Sequence, residues 1–223
     1  MLILTASNYW VWQIFSSNLV LGGILLLTEL GLFILITQKN LRKRCQTILF
    51  LSGLLFLSLG AVFVKSNFDQ TLLVTSPTEI SILMQRHAYL ADGLGKIFTN
   101  RYILHYYKDY SLAVGKYERN IFYSLDPNLY FFRSHPREKA GIDEYEKYSP
   151  LFLPLFVIGI FYLILHSRKY LFLILYFLLA TLLTGFISPY YKLGPVLLFP
   201  FVNIILYLGL TGLIPKIKSL VKK

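Results

Sequence analysis

Long apolar stretches alternate with short basic ones along this chain, and one long polar stretch interrupts the series. The apolar runs extend from about Ile14 to Thr37, Thr47 to Val64, Pro150 to His166, Tyr170 to Ile187 and Pro195 to Ile214. A helix needs about 20 mostly apolar residues to cross the hydrocarbon core, where no water satisfies the backbone. The second run is near the lower limit of that length. The pattern predicts an all-α, polytopic membrane protein of about five transmembrane helices. Three units follow from it: a helix pair in residues 1–64, a polar segment in 65–148, and three closing helices with a basic tail in 149–223.

The polar segment carries its own helical signals. Ser76-Pro77-Thr78-Glu79 reads as a helix start, with Ser76 as N-cap, Pro77 as first helical residue and Glu79 as capping-box partner. Ile80, Leu83, Met84 and His87 then share one helical face, and Gly93 and Gly95 end the helix. Further helices are expected over Lys96–Tyr107 and Ser111–Phe122. Asp126-Pro127-Asn128 is a turn signal, and the stretch after it is irregular. Its aromatics, Tyr130, Phe131 and Phe132, need the membrane face or the outer ends of the helices to bury against.

Composition excludes an ordinary soluble domain. The chain is 56% hydrophobic and 15% charged, against roughly 25% charged for soluble domains. Its net charge of +11 would suggest nucleic acid in a soluble protein, but the placement of the charge argues otherwise, and no nucleic-acid partner is expected. The links after the first and third runs, with the C-terminal tail, hold ten basic residues and no acidic one. Basic residues near helix ends stay in the cytoplasm, whereas long segments translocate largely regardless of charge. All three basic stretches fall on one side of a five-span arrangement. The N-terminus and residues 65–148 are then extracytoplasmic and the C-terminus cytoplasmic, in a cell membrane. Met1 to Ser17 holds no Lys or Arg, so no cleavable leader is expected and the first helix stays as an anchor. Tyr9, Trp10, Trp12, Tyr148, Tyr190 and Tyr191 sit where an aromatic interfacial belt is expected.

Candidate chemistry is sparse. Glu29 lies inside the first run, and an ionisable group there is a functional candidate by default. It fits either a proton relay or a neutral acid bonded to another helix, with Asn203, Thr181 or Thr184 as possible partners. On the outer side, His135-Pro136-Arg137-Glu138 is the densest polar cluster, preceded by Asp126 and Arg133 and followed by Asp143, Glu144 and Glu146. Asp126, Arg133, His135, Arg137 and Glu138 form a candidate interaction surface. The two arginines suit phosphate, which a guanidinium binds through paired hydrogen bonds. The four histidines lack metal-ligand spacing, so no metal is expected. Gly93-Leu94-Gly95-Lys96 lacks the spacing of a phosphate loop, and there is no nucleophile elbow. No cofactor is expected. The single cysteine, Cys45, excludes an internal disulfide framework.

From about Asn120 onward the chain resembles bacterial membrane glycosyltransferases of the dolichyl-phosphate-mannose protein mannosyltransferase type. The resemblance rests on NIFYSLDPNLYFFRSHPRE, the glycine and acidic run after it, LFLPLFVIGIFYLI, a basic turn, SPYYKLGPVLLFP and a last span. It covers under half of the chain and implies the closing helices of such an enzyme. The acidic motif those enzymes carry in their first outer loop has no counterpart here: residues 1–17 hold no Asp or Glu, and the next outer carboxylate is Asp69. No catalytic residue is carried over. The expected function is an envelope membrane protein, a non-catalytic accessory or partner-binding subunit that meets the lipid bilayer and other membrane proteins. Two alternatives stand beside it. One is an enzyme on a lipid-linked substrate with Asp69 or Glu138 as acid or base; the other is a small transporter component using Glu29.

Overall fold

The computed structural model describes residues 2–37, 60–95, 100–132 and 147–221. Regular structure there is helical apart from one isolated antiparallel bridge between Phe68 and Ile187. The helices are α1 (Leu2–Ala6), α2 (Tyr9–Ser17), α3 (Leu19–Thr37), α4 (60–67), α5 (Pro77–Leu94), α6 (Arg101–Asp109), α7 (Ser111–Leu125), α8 (Pro127–Phe131), α9 (Leu153–Leu165), α10 (Leu171–Thr184) and α11 (Phe199–Val221). Short 3-10 turns lead into α9 and α11.

Among the described residues, two stretches are long and apolar enough to cross a membrane, Leu19–Thr37 and Val196–Leu213. Pro150–Leu165 and Leu171–Thr184 are equally apolar but shorter. Most of the second apolar run, up to residue 59, lies outside the described residues. The first run is not one helix. Asn18 is extended (φ −159°, ψ 106°), and its side-chain oxygen accepts from the Leu21 backbone N–H at 3.1 Å, which caps α3. The chain folds back there, so α2 packs along α3. An Asn inside an apolar run offers the backbone a cap in place of the helix ladder.

α11 is the central post: Ile204, Ile205 and Leu206 are fully buried. It packs against α9 and α3. Glycines set the α9–α11 approach. A Cβ on Gly159 would collide with the Ile205 carbonyl oxygen, and one on Gly209 with that of Leu155. Small residues let two helix backbones approach to van der Waals contact. α3 runs alongside, with Phe33 edge-on to Tyr207 at 5.1 Å.

α9 and α10 lack the polar outer face of an amphipathic helix. On α10, Leu173, Tyr176, Ala180 and Thr184 face inward and are buried. Its outward face is also apolar: Leu171, Leu175, Leu178, Leu179 and Leu182 are all exposed. On α9, Val157, Phe161, Ile164 and Leu165 are exposed in the same way.

Among the described residues, the first part of the polar segment folds as its local signals predict. Ser76 and Glu79 form the complete capping box with Pro77 at the helix start, and α5 ends at Gly95 with φ +55°. Asp126-Pro127 opens the short helix α8, where the sequence suggests a turn and then irregular chain. Tyr130 and Phe131 are buried against the helix ends, while Phe132 is 40% exposed.

Candidate functional site

Two polar networks are buried in the described structure. The first is built from α1, α3, α11 and the chain just before α9. Glu29 stands halfway along α3, facing α11, and is 1% exposed. Its Oε1 accepts from Thr5 Oγ1 at 2.7 Å and from Asn203 Nδ2 at 3.0 Å. Asn203 Oδ1 accepts in turn from the Tyr148 hydroxyl at 2.8 Å. Glu29 Oε2 has no hydrogen-bond partner among the described residues. The chain Thr5–Glu29–Asn203–Tyr148 therefore links four segments far apart in sequence. Asn203 does meet Glu29, and it uses both halves of its amide. Thr184 turns back on its own helix, to the Ala180 carbonyl.

Aromatic packing closes this network. Trp10 is 2% exposed, with Tyr130, Tyr148 and Phe199 edge-on to it at 6.2, 6.3 and 5.3 Å. Its indole N–H donates to the Leu193 carbonyl at 2.8 Å. The Lys147 ammonium lies 5.5 Å from the Trp10 ring and donates to the Leu129 carbonyl. Trp10 and Tyr148, expected in an interfacial belt, are core residues instead. Both carry a polar atom that finds a protein partner, which is what lets Trp and Tyr bury fully. Tyr9 and Trp12 are 65% and 59% exposed.

The second network ties the polar segment to the end of α10. Asp69 is 4% exposed. Its Oδ1 accepts from the Thr71 N–H and hydroxyl, and its Oδ2 from Asn120 Nδ2 at 2.9 Å. The Arg119 guanidinium stands 3.8 Å away. Asn120 also donates to the Gly185 carbonyl, the Asp69 N–H to the Phe186 carbonyl, and the Tyr117 hydroxyl to the Leu182 carbonyl. Alongside, the Lys116 ammonium binds the carbonyls of Thr71 and Val74 and the Glu79 carboxylate at 3.0 Å. Desolvation pushes the Asp69 carboxyl up, but the bonds from Thr71 and Asn120, with Arg119 beside them, outweigh it and hold it below its ordinary value. Glu79 is also held low, first by the Ser76 N–H and then by Lys116.

Of the outer-surface candidates, Asp126 is described: it caps α8, accepting from the Asn128 N–H at 2.9 Å. Arg133, His135, Arg137 and Glu138 lie outside the described residues, as does Cys45. Among the described residues no three His, Cys, Asp or Glu side chains gather as metal ligands. His87 and His105 each pack 5.6 Å from a tyrosine ring, and His166 lies on Tyr162. The Asp69–Asn120–Lys116 cluster was not legible as a unit in the sequence, because its members are up to 51 residues apart. No family model, no curated protein and no solved structure matches the chain.

Proposed function

We propose that the chain is an integral membrane protein of the cell envelope that crosses the bilayer five times and serves as a non-catalytic, partner-binding subunit. The observation that carries membrane residence is the outward face of α9 and α10. In water, the exposed leucines of α10 and the exposed Val157, Phe161, Ile164 and Leu165 of α9 would be an aggregation surface; against lipid tails they are the ordinary boundary. The purely basic links support the orientation, with the N-terminus and residues 65–148 outside and the C-terminus in the cytoplasm.

The engagement of the carboxylates supports the accessory role. Glu29, Asp69, Glu79 and Asp126 each hold neighbouring backbone or side chains together. General acid–base work needs a group positioned on a substrate proton, and Asp69, the leading enzymatic candidate, is saturated by Thr71, Asn120 and Arg119. The exposed apolar residues of α5 and α6, Ile80 with Met84 and Tyr102 with Tyr106, each pair four residues apart, offer surface for a partner. The sequence pattern from Asn120 onward, which resembles the closing half of lipid-linked glycosyltransferases, leads us to propose a membrane enzyme of that class as the partner.

The test has two arms. In intact cells, a membrane-impermeant maleimide should label a Ser111→Cys variant, while native Cys45 and a Ser219→Cys variant should react only after permeabilisation. Labelling of Cys45 and residue 219 from opposite sides refutes five spans. A photocrosslinking side chain at Tyr102 should join one defined membrane protein, and the same group at Leu178 should not. No adduct at Tyr102 removes the partner-binding role.

A further inference from the structure

α9 and α10 are consecutive, joined by the turn at residues 166–170, yet they do not close on each other. α10 packs instead against α7, the 3-10 turn at Val196–Leu198 and α11. Between the two helices lies an open groove of about 420 Å³, walled by Phe156, Ile160 and Leu163 of α9, by Ile174 and Phe177 of α10, and floored by Val202 of α11.

The two ends of the groove differ. At one end Leu125 and Tyr130 close it, and the Tyr130 hydroxyl is already bonded to the Ser124 carbonyl at 2.7 Å. At the other end Ser167 lines it, followed by exposed Arg168 and Lys169. The Lys169 ammonium is steadied by the Tyr170 hydroxyl at 3.0 Å and sits 4.8 Å from that ring. The groove is thus apolar along its length, with Leu125 and Tyr130 at one end and, at the other, Ser167, which the basic pair Arg168-Lys169 follows in the chain.

We propose that this groove holds one acyl chain of an anionic phospholipid, with the lipid phosphate at the Ser167-Arg168-Lys169 turn. The volume is the scale of one chain: it equals roughly 14 groups of about 30 Å³, the share of a water molecule and close to that of a methylene. The charge selects the headgroup. Arg168 suits paired bonds to phosphate oxygens, and Lys169 adds a point charge. Both belong to a basic turn on the proposed cytoplasmic side, where anionic lipid attracts Lys and Arg. The proposal rests on the membrane reading above and adds to it a specific lipid site.

The experiment uses the full chain. It is exchanged into bicelles of equal palmitoyl-oleoyl phosphatidylglycerol and phosphatidylcholine, and retained lipid is read by native mass spectrometry. The wild type should retain one phosphatidylglycerol, preferred over phosphatidylcholine by about fivefold for each basic residue, the ~1 kcal/mol of one near-surface Lys or Arg. Ile160→Trp, which fills the groove, should lose that lipid. Phe161→Trp, on the outward face of α9, should keep it and controls for folding. Replacing Arg168 and Lys169 together by Gln should abolish the preference. Equal retention of both lipids by the wild type, or undiminished phosphatidylglycerol on Ile160→Trp, overturns the proposal. So does a wild-type dimer that Ile160→Trp dissociates, since a second copy then fills the groove. Alkaline extraction separates the two readings: a chain released from membranes defeats membrane residence, whereas one that stays embedded without bound phosphatidylglycerol defeats only the lipid site.

Discussion

Glu29 and Asp69 are both carboxyl groups withdrawn from water, and they are held in opposite ways. At Glu29 one oxygen takes both donors and the other takes none among the described residues. At Asp69 both oxygens accept, and a guanidinium stands beside them. The first arrangement asks only for one well-placed acceptor. The second requires acceptors on both sides. Burial alone therefore does not say whether the charge or merely the shape of a carboxyl group is being used; the donor count on each oxygen does.

Substitutions break or sharpen this contrast, and the largest effect is expected where one side chain serves two partners. Asn203→Leu removes the amide that bonds both Glu29 and Tyr148. Each stranded buried group costs ~1–3 kcal/mol, so a loss of about 3 kcal/mol is expected in thermal unfolding in detergent. Asp69→Asn is next. It places an amide N–H₂ against donors from either Thr71 or Asn120, so about 2 kcal/mol is expected. The loss should be local, read as faster proteolysis of residues 66–125 with α9 and α11 still intact.

Acid tests the same clamp without a mutation. The Asp69 carboxyl is held below its ordinary value of 3.8 and Glu79 below 4.5. Such groups contribute stability above those values and lose it as pH falls through the lower folded ones. Proteolysis of the polar segment should be constant from about pH 7 to 5 and accelerate below about pH 4. A clamp that instead loosened between pH 8 and 6 would place its strength elsewhere. The smallest change is expected from Glu29→Gln. Glutamine can keep its oxygen toward Thr5 and Asn203 and turn its amide to the other side, so less than about 1 kcal/mol should be lost. If Glu29→Gln costs as much as Asp69→Asn, the contrast between the two sites fails.

What the sequence showed of this fold was local. The Ser76–Glu79 capping box needs four consecutive residues and formed as read. α6 and α7 arose near their expected positions for the same reason. The break at Asn18 was hidden, because a single polar residue in a leucine-rich run also suits an uninterrupted span. The aromatics misled in the other direction: Trp10 and Tyr148 have the composition of an interfacial belt, but Leu193 and Asn203 offer them buried partners. The meeting of Glu29 with Asn203 was among the pairings open in the sequence, since few polar side chains lie within the apolar runs. The Asp69 clamp was not, because Asn120 and Gly185 become its neighbours only after α7 docks on α10.

The reach of the Glu29 network also dictates an order of assembly. Glu29 waits for Asn203, 174 residues later, and Trp10 for Leu193, 183 residues later. Chains emerge from the ribosome N-terminus first, at roughly 5–20 residues per second. The first hairpin is therefore made on the order of ten seconds or more before the helix that completes it. During that interval a carboxyl group in an apolar helix lacks its amide partner and an indole lacks its acceptor. A ribosome that stops early leaves this hairpin as an orphan, with a carboxyl group and an indole still waiting for partners, which marks it as a target for quality control.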